Sequence, residues 1–348
     1  MIDDIPKQTL FKWIGGKTWL KDDINEQLNK IYKKEYEKMD RYIEPFIGGL
    51  GSFKIIYNKI SNYKNIEIVL NDINTLIINT FKNVKEELEE LLKEYKKIES
   101  EFNNKLPKNK IKCKKRIKNK KTKEIEEIEG EYYYYELNKT LDKVNLKELY
   151  LKEARDYFNL IKKELNHDKL LNIYTIKTSA RFLFIMNHCF NGVYRENKKG
   201  EYNVPFNWDN KKIDNNKRVE IIKKYNKFFN NINVVFENMD VFNLIKKYKT
   251  NKTFIYLDPP YVNEKENENK YNKDSFTNKK QKQLIEEIEK DKYIYLYSNH
   301  NVSIIKEFFD DKITKKYNKK YINRKNIMSS SNKTRSEDKE EILVLSKK

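Results

Sequence analysis

Residues 258–261 combine, in four consecutive positions, groups that can hold a planar amine. A proline has no amide hydrogen, so this turn offers backbone carbonyls that accept hydrogen bonds. The Asp258 carboxylate and the Pro259 carbonyl can accept both hydrogens of an exocyclic amine, while Tyr261 can stack on its ring. A base inside a duplex cannot reach such a pocket and has to be flipped out. The alternative is a plain turn at the end of a strand, capped by Asp258. The candidate catalytic residues are Asp258, Pro259, Pro260 and Tyr261.

A second cluster of unusual residues follows a predicted short strand at residues 41–46. Glycines at 48, 49 and 51 let the backbone turn close to a bulky ligand, and the next helix adds amide donors. We expect Ser52 to cap that helix. Asp72 ends the next apolar stretch, where an acid can accept hydrogen bonds from ribose hydroxyls. Alternatively, Asp72 is the N-cap of the helix that begins near residue 74.

A third patch, residues 11–17, precedes a predicted helix. Trp13 offers a ring face, and Lys17 offers a cation for a ligand carboxylate. By itself this patch is weakly specific.

The composition of the 348 residues points to a polyanionic partner. With 73 Lys and Arg against 53 Asp and Glu, the net charge is +20, which favours nucleic acid. A coding bias toward Lys and Asn is the alternative. No stretch is apolar enough for a membrane span or a signal core, so we expect an intracellular protein that is not secreted. Two cysteines and the scattered His167, His188 and His300 do not make a metal site.

The elements that must position these residues alternate between strands and helices. Strands are predicted at 41–46, 66–70, 234–236, 253–257, 293–297 and 341–345, and helices at 52–57, 76–95, 281–288 and 302–309. This order predicts an α/β fold with a largely parallel sheet. The middle of the chain reads as an inserted, mostly helical domain that carries a hairpin at 192–206. The predicted division is 1–84 and 230–348 for the domain with the sheet, and 85–229 for the insertion.

A charged segment interrupts this inserted domain at about residues 97–131. Residues 108–123 hold ten Lys or Arg, and an acidic run follows at 124–131. Such blocks usually form a solvated loop, which is the favoured interpretation. The alternative is an arm that tracks DNA phosphates. The tyrosines at 132–135 are predicted on a helix face rather than in a base-stacking platform.

Together and in this order, the motifs resemble those of Dam-type DNA adenine-N6 methyltransferases of the D12 class, alpha group. The resemblance covers residues 7–346 except the charged segment, and Leu50 stands where small residues are more usual in the family. The matching segments are 12–17, 44–51, 71–74, 191–195, 200–206, 258–261, 275–277, 298–300, 329–332 and 340–343.

The resemblance implies a Rossmann-like sheet that binds S-adenosylmethionine, with the inserted domain recognising the target. Methyl transfer to N6 of adenine would be direct and in line, without a cysteine nucleophile or a metal. Residues 258–261 would hold the adenine. The cofactor residues implied are Trp13, Lys17, Glu44, Phe46, Gly48, Gly49, Gly51, Asp72 and Asp258.

In this family the hairpin at 192–206 reads double-stranded DNA. Arg195 is the candidate for a bidentate contact with a guanine edge, with a surface or phosphate-clamping role as the alternative. The likeness of this hairpin to GATC-modifying members makes GATC the expected target. The other DNA-binding candidates are Val193 and Tyr194 as wedges, Asn197, and Lys198 and Lys199 for phosphate.

Two other functions stay open at this point. One is a catalytically silent DNA-binding protein with the methyltransferase fold, although an inactive protein has no need for the intact motifs. The other is a different amine substrate, either an RNA adenine or cytosine N4. A paired restriction endonuclease and an enzyme that stands alone are both compatible with the sequence, and a monomer is the default.

Overall fold

The chain divides into two compact units, each described by itself. Unit 1 comprises residues 1–9, 15–85 and 225–348, and unit 2 comprises residues 10–14 and 86–224. The structure is a computed structural model. It describes residues 5–13, 15–31, 33–62, 66–118, 125–133, 151–207, 215–248, 250, 252–261, 276–290, 293–309, 317–325 and 338–346.

Seven of the described strands form the sheet of unit 1, in the order β5-β2-β1-β6-β7-β9-β8. The first five in that order run parallel, β9 is antiparallel to β7, and β8 is antiparallel to β9. The strands are β1 (Arg41–Glu44), β2 (Glu67–Asn71), β3 (Ile111–Lys118), β4 (Ile125–Tyr132), β5 (Val234–Glu237), β6 (Thr253–Leu257), β7 (Ile294–His300), β8 (Tyr317–Lys325) and β9 (Asp338–Ser346); β3 and β4 belong to unit 2.

Helices connect these strands and supply most of unit 2. A single 3-10 turn at Lys17–Leu20 leads into the first of them. The helices are α1 (Lys21–Asn29), α2 (Lys33–Glu37), α3 (Gly51–Ile60), α4 (Thr75–Glu86), α5 (Leu88–Asn104), α6 (Lys152–Leu170), α7 (Ile176–His188), α8 (Asn215–Asn230), α9 (Val241–Lys247), α10 (Asn278–Lys290) and α11 (Ser303–Phe308). Among these described helices, none is long and apolar enough to cross a membrane.

The central strands β6 and β7 are buried on both faces, which explains their apolar composition. All five residues of β6 and six of the seven in β7 are buried, as expected of parallel strands covered by helices. The chain runs from β1 outward to β2 and β5, and then returns to β6 on the other side of β1. Ligands of open α/β sheets bind at such a reversal point, beyond the carboxyl ends of the strands. The predicted α/β class with a mostly parallel sheet is confirmed.

Several predicted boundaries were wrong. The helix predicted over 76–95 is two helices, α4 and α5, which are separated at Glu87. Strand β8 was not predicted, because its composition is polar; among the described strands it lies at the edge of the sheet and pairs with β9.

Unit 2 is built mainly from α5, α6 and α7, whose aromatic side chains meet in its core. Phe184 packs against Phe102 and Phe158, with ring centroids 5.2 and 6.3 Å apart. Helix α7 begins with a capping box in which Thr175 and Thr178 exchange hydrogen bonds. Phe206, which ends the segment that was predicted to read DNA, packs against Phe158 in this core, with ring centroids 5.4 Å apart.

The solvated loop predicted at about 97–131 was wrong. Residues up to Asn104 belong to α5, and β3 and β4 then form an antiparallel ribbon. Basic β3 residues lie opposite acidic β4 residues, as in the pair Lys114 and Glu129. Opposite charges on neighbouring strands favour pairing, which agrees with the order of the two charge blocks in the sequence. Tyr132 ends β4 rather than lying on a helix, while residues 134 and 135 lie outside the described residues.

Candidate active site

The carboxylate of residues 258–261, the DPPY turn, is paired with a buried lysine. Asp258 directly follows β6, and its Oδ1 lies 2.8 Å from Lys17 Nζ. The Lys17 side chain is only 2% exposed and also donates to the Gly15 carbonyl at 3.1 Å. Burial lowers the pKa of Lys17, but Asp258, Tyr261 and Glu341 together outweigh burial and hold that pKa above its ordinary value. The lysine is therefore a fixed cation beside the first residue of the turn.

The ring of Tyr261 is oriented by contacts from three directions. Lys17 Nζ lies 4.8 Å from the ring centroid. The His300 imidazole stacks on the ring, with centroids 3.8 Å apart and planes inclined by 23°. The Tyr261 hydroxyl donates to Glu341 Oε1 at 2.8 Å. The aromatic group of the turn is thus held in place before any ligand arrives.

A chain of buried polar groups supports the DPPY turn from behind. Gln281 Nε2 donates to the Pro260 carbonyl at 2.5 Å, and its Oε1 accepts from the Tyr297 hydroxyl at 2.8 Å. Asn299 Nδ2 donates to the same hydroxyl at 3.0 Å. Motif reasoning missed Gln281. A signal was present, however, because Gln281 shares the buried stripe of α10 with Leu284, Ile285 and Ile288, where a polar residue is unusual.

The glycine loop, residues 46–51, joins β1 to α3. Leu50 takes a left-handed conformation with φ 64° and ψ 24°, and its amide donates to the Ile47 carbonyl at 2.8 Å. A Cβ on Gly51 would lie 3.1 Å from both Gly16 Cα and Lys17 N. That separation is tighter than ordinary van der Waals contact, so the glycine brings the Lys17 segment against the loop. The glycine loop and the lysine belong to one site.

Ser52 does not cap α3 as predicted. Leu50 occupies the N-cap position, and the Ser52 hydroxyl donates instead to Glu44 Oε1. The other oxygen of Glu44 accepts from the Tyr42 hydroxyl at 2.6 Å. The Glu44 side chain is fully buried, and burial raises its pKa to about 8 although both hydroxyls oppose the shift. Glu44 therefore ties the end of β1 to the start of α3 across the loop.

Asp72 lies just beyond β2 and contacts the glycine loop. Its Oδ2 accepts from the Gly48 amide at 3.0 Å, and its Oδ1 accepts from the Asn74 amide at 2.9 Å. Burial raises the pKa of Asp72 to about 6, against the opposing effect of these hydrogen bonds. The N-cap alternative for Asp72 is wrong, because Asn74 Oδ1 accepts from the Leu76 amide and caps α4.

Asn71, which precedes Asp72, was overlooked and holds three segments together. Its Nδ2 donates to the carbonyls of Pro45 and Met239 at 3.0 and 3.1 Å, and its Oδ1 accepts from the Met239 amide. Phe46, at the start of the loop, packs edge-on against Phe276 with centroids 5.4 Å apart. Polar residues that end buried strands were the available signal for Asn71.

The segment predicted to read DNA lies in unit 2 and doubles back on itself. Isolated bridges pair Cys189 with Phe206 and Glu196 with Tyr202, so the recognition hairpin (residues 192–206) is not a continuous ladder. Arg195 is exposed, and its Nε donates to Asn203 Oδ1 at 2.8 Å. The guanidinium is therefore presented on the surface in a fixed orientation.

The tip of the recognition hairpin is organised by Asn197. Its Oδ1 accepts from the amides of Lys199 and Glu201 at 2.9 and 3.0 Å, and its Nδ2 donates to Glu201 Oε2. Lys198 and Lys199 are exposed. The turn thus presents two cations, while the Asn197 amide is engaged within the turn.

Trp13 lies in unit 2, whereas Lys17, four residues later, lies in unit 1. The Trp13 ring stacks on Tyr194, with centroids 5.6 Å apart and planes inclined by 25°. The neighbouring Val193 accepts from the Tyr202 hydroxyl through its carbonyl, at 3.1 Å. The remaining residues predicted for the cofactor lie in unit 1: Lys17, Glu44, Phe46, Gly48, Gly49, Gly51, Asp72 and Asp258.

An open sheet with a glycine loop and acidic residues at its carboxyl edge is the architecture of nucleoside-binding α/β proteins. A family model described as "D12 class N6 adenine-specific DNA methyltransferase" matches residues 13–329. The match covers nearly the whole chain, so the protein belongs to this family of adenine-specific DNA methyltransferases.

Individual relatives agree with the family assignment. "Type II methyltransferase M.MjaIII" of Methanocaldococcus jannaschii is 29% identical over 251 residues, which are 72% of this chain and 68% of the relative. "Type II methyltransferase M1.LlaDCHI" of Lactococcus lactis subsp. cremoris is 24% identical over 252 residues, 72% of this chain and 64% of the relative. "DNA adenine methylase" of Serratia marcescens is 24% identical over 200 residues, 57% of this chain and 48% of the relative.

Proposed function

We propose that this protein transfers a methyl group from S-adenosylmethionine to N6 of an adenine flipped out of double-stranded DNA. The observation that carries the proposal is the position of the DPPY turn. The turn follows β6, and β6 pairs with β1, which carries the glycine loop. The site for the adenine amine and the site for the methyl donor would then lie at the same edge of the sheet.

The residues around the glycine loop fit a nucleoside donor. At Gly51 the backbone of the loop packs closely against Gly16 and Lys17, where an added Cβ would lie 3.1 Å from both. The Asp72 carboxylate accepts hydrogen bonds from two backbone amides. A carboxylate has further lone pairs, which could accept from ribose hydroxyls. S-adenosylmethionine supplies an electrophilic methyl group on a sulfonium. Glu44 and Asn71 would affect the donor only by holding the glycine loop in place. Lys17, Asp72 and Phe46 would line the donor's pocket.

The DPPY turn would hold the adenine amine. The Asp258 carboxylate and the Pro259 carbonyl would accept its two hydrogens, which directs the nitrogen lone pair away from them. The Pro260 carbonyl is taken by Gln281, and that bond fixes the turn. As the nitrogen gains positive charge, the Asp258 carboxylate would stabilise it. Tyr261 would stack on the base and keep it in line with the methyl group.

Residues 85–229 would form the target-recognition domain, inserted between the catalytic parts 1–84 and 230–348. The fixed, exposed guanidinium of Arg195 suits bidentate contact with a guanine. Lys198 and Lys199 would contact phosphate. The likeness of the recognition hairpin to that of GATC-modifying members supports GATC as the target.

A paired restriction endonuclease is a proposed partner. The names of two relatives, "Type II methyltransferase", support it. We expect a monomer that acts inside the cell, where its DNA lies.

The test is transfer of a labelled methyl group from S-adenosylmethionine to unmethylated genomic DNA, followed by mapping of the modified bases. We expect N6-methyladenine at one short motif. The Asp258→Ala variant should lose transfer and keep most of its DNA binding. Unchanged turnover in that variant would contradict the site. Transfer to RNA alone, or cofactor binding without transfer, would favour the RNA-modifying or the catalytically silent alternative.

A further inference from the structure

Glu341, on β9, is a buried carboxylate that neither the DPPY turn nor the glycine loop includes. It is 2% exposed and lies opposite His300 in the register of β7 and β9. Its Oε1 accepts a hydrogen bond from the Tyr261 hydroxyl at 2.8 Å, while the His300 imidazole stacks on the ring of the same tyrosine. Two register partners from neighbouring strands therefore hold one aromatic side chain.

The hydroxyl of Tyr261 is a dependable donor in this position. Burial raises the pKa of Tyr261 above its ordinary value, and the charges of Asp258 and Glu341 add to the shift, while Lys17 opposes it. The phenol is therefore protonated at neutral pH. A hydrogen bond from a phenol to a carboxylate polarises the donor, which increases the electron density of the ring. An electron-rich ring face attracts positive charge.

We propose that Glu341 is a positioning residue for methyl transfer, which fixes the plane of Tyr261 and polarises its ring toward the adenine. This inference rests on the proposed function, in which Tyr261 stacks on the base. The adenine gains positive charge only as the methyl group arrives. Glu341 should therefore act on the rate of transfer and leave donor affinity nearly unchanged.

The test is a double-mutant cycle between Tyr261→Phe and Glu341→Ala, read as the single-turnover rate at saturating S-adenosylmethionine and duplex DNA. Each single variant removes the same hydrogen bond, so we expect each to slow transfer about tenfold. The double variant should be no slower than either single variant. Glu341→Gln should recover most of the rate, because its amide oxygen still accepts the hydroxyl.

Glu289→Ala is the matched control. Glu289 Oε1 accepts the hydroxyls of Tyr295 and Tyr317 at 2.7 and 2.6 Å, so this variant perturbs a similar tyrosine–glutamate contact outside the site. It should keep the wild-type rate. Melting temperatures report on folding, and Tyr261→Phe, which lacks one hydroxyl, tests the inference even if Glu341→Ala does not fold.

The outcomes separate this inference from the proposed function. Additive losses in the cycle, or a wild-type rate in Tyr261→Phe, would overturn the role of Glu341 while Asp258→Ala remains inactive. If the wild-type protein transfers no methyl group to adenine, the proposed function and this inference both fail.

Discussion

In the candidate active site, ionisable side chains are buried at the carboxyl edge of the sheet, and each one has several partners. Lys17 has the Asp258 carboxylate and the Gly15 carbonyl, and Glu44 has two hydroxyls. Burying such groups without partners is costly. Partnered groups of this kind keep one geometry, which is what a site for in-line transfer requires.

The raised pKa of Glu44 predicts how stability depends on pH. A carboxyl whose pKa is raised to about 8 by burial stays protonated in the folded chain but ionises in the unfolded chain. Between pH 4.5 and 8 the folded state thus binds the extra proton, and the free energy of unfolding falls as pH rises. The slope from this group is at most about 1.4 kcal/mol per pH unit.

Glu44→Gln should remove that part of the slope, as measured by denaturant unfolding between about pH 6.5 and 8. The window lies above the pKa of about 6 that burial gives Asp72, so Asp72 is mostly ionised in both states there. Glu286→Gln changes a carboxyl on α10 and serves as the control. An unchanged slope in Glu44→Gln would show that Glu44 is ionised in the folded protein.

Gly51→Ala should weaken binding of S-adenosylmethionine. The added methyl group would lie 3.1 Å from Gly16 Cα and Lys17 N, so the glycine loop or the Lys17 segment must shift by a few tenths of an ångström. We expect about a tenfold loss of affinity by calorimetry, or ~1.4 kcal/mol. Asn58→Ala, at an exposed position of the same helix, should bind normally. Equal affinities would mean that the donor does not use this loop.

At the scale of elements, the ribbon β3–β4 pairs a basic segment of the sequence with an acidic one. Lys112, Lys114 and Arg116 lie in register with Glu131, Glu129 and Glu127. These pairs place opposite charges on neighbouring strands, which favours pairing of the two segments. The basic strand is largely neutralised by its neighbour, which argues against an arm that tracks phosphates along its length.

Replacing residues 111–132 with a short Gly-Ser linker tests that interpretation. Ile111 and Tyr132 are register partners, so a few residues can close the gap. The removed segment carries eight Lys or Arg against five Glu. We therefore expect DNA affinity and its salt dependence to change little, as measured by fluorescence anisotropy. A fall of several units in the log–log salt slope would restore the arm hypothesis.

Substitutions in the recognition hairpin should distinguish residues that recognise the base sequence from residues that bind phosphate. Arg195→Lys removes the planar fork of the guanidinium and should relax the preference at one base pair, costing ~1–3 kcal/mol for the cognate site. The double change Lys198→Gln and Lys199→Gln should weaken all sequences equally and reduce the salt slope by about two. Competition binding with duplexes that differ at one position distinguishes these effects. Equal weakening of every duplex by Arg195→Lys would indicate a phosphate clamp.

At the scale of the whole molecule, the net charge of +20 predicts affinity for any duplex. Released counterions should make that affinity fall steeply with salt, with a log–log slope of about −0.9 per phosphate neutralised. S-adenosylmethionine has little net charge, and its binding should depend far less on salt. Titrations of both ligands over one salt series check this contrast. A shallow slope for DNA would indicate that the charge is a compositional bias.

The sequence alone was sufficient for the α/β class, the glycine loop and the DPPY turn. Glycine and proline have strong backbone preferences, and in this chain they are few and clustered. The strands before those motifs lie in the interior of the sheet, and most of their residues are buried. Such signals are local, so they can be recognised in the sequence without knowledge of the fold.

Only the tertiary structure decided which side chains meet. Register pairing of β7 with β9 brings Glu341 beside His300 and Tyr261, although Tyr261 and Glu341 are eighty residues apart. Similarly, β1 and β6 are neighbours only because the sheet order reverses at β1. Contacts of this kind depend on strand order and register, which are set by the packing of the whole sheet and leave no periodic trace in the sequence.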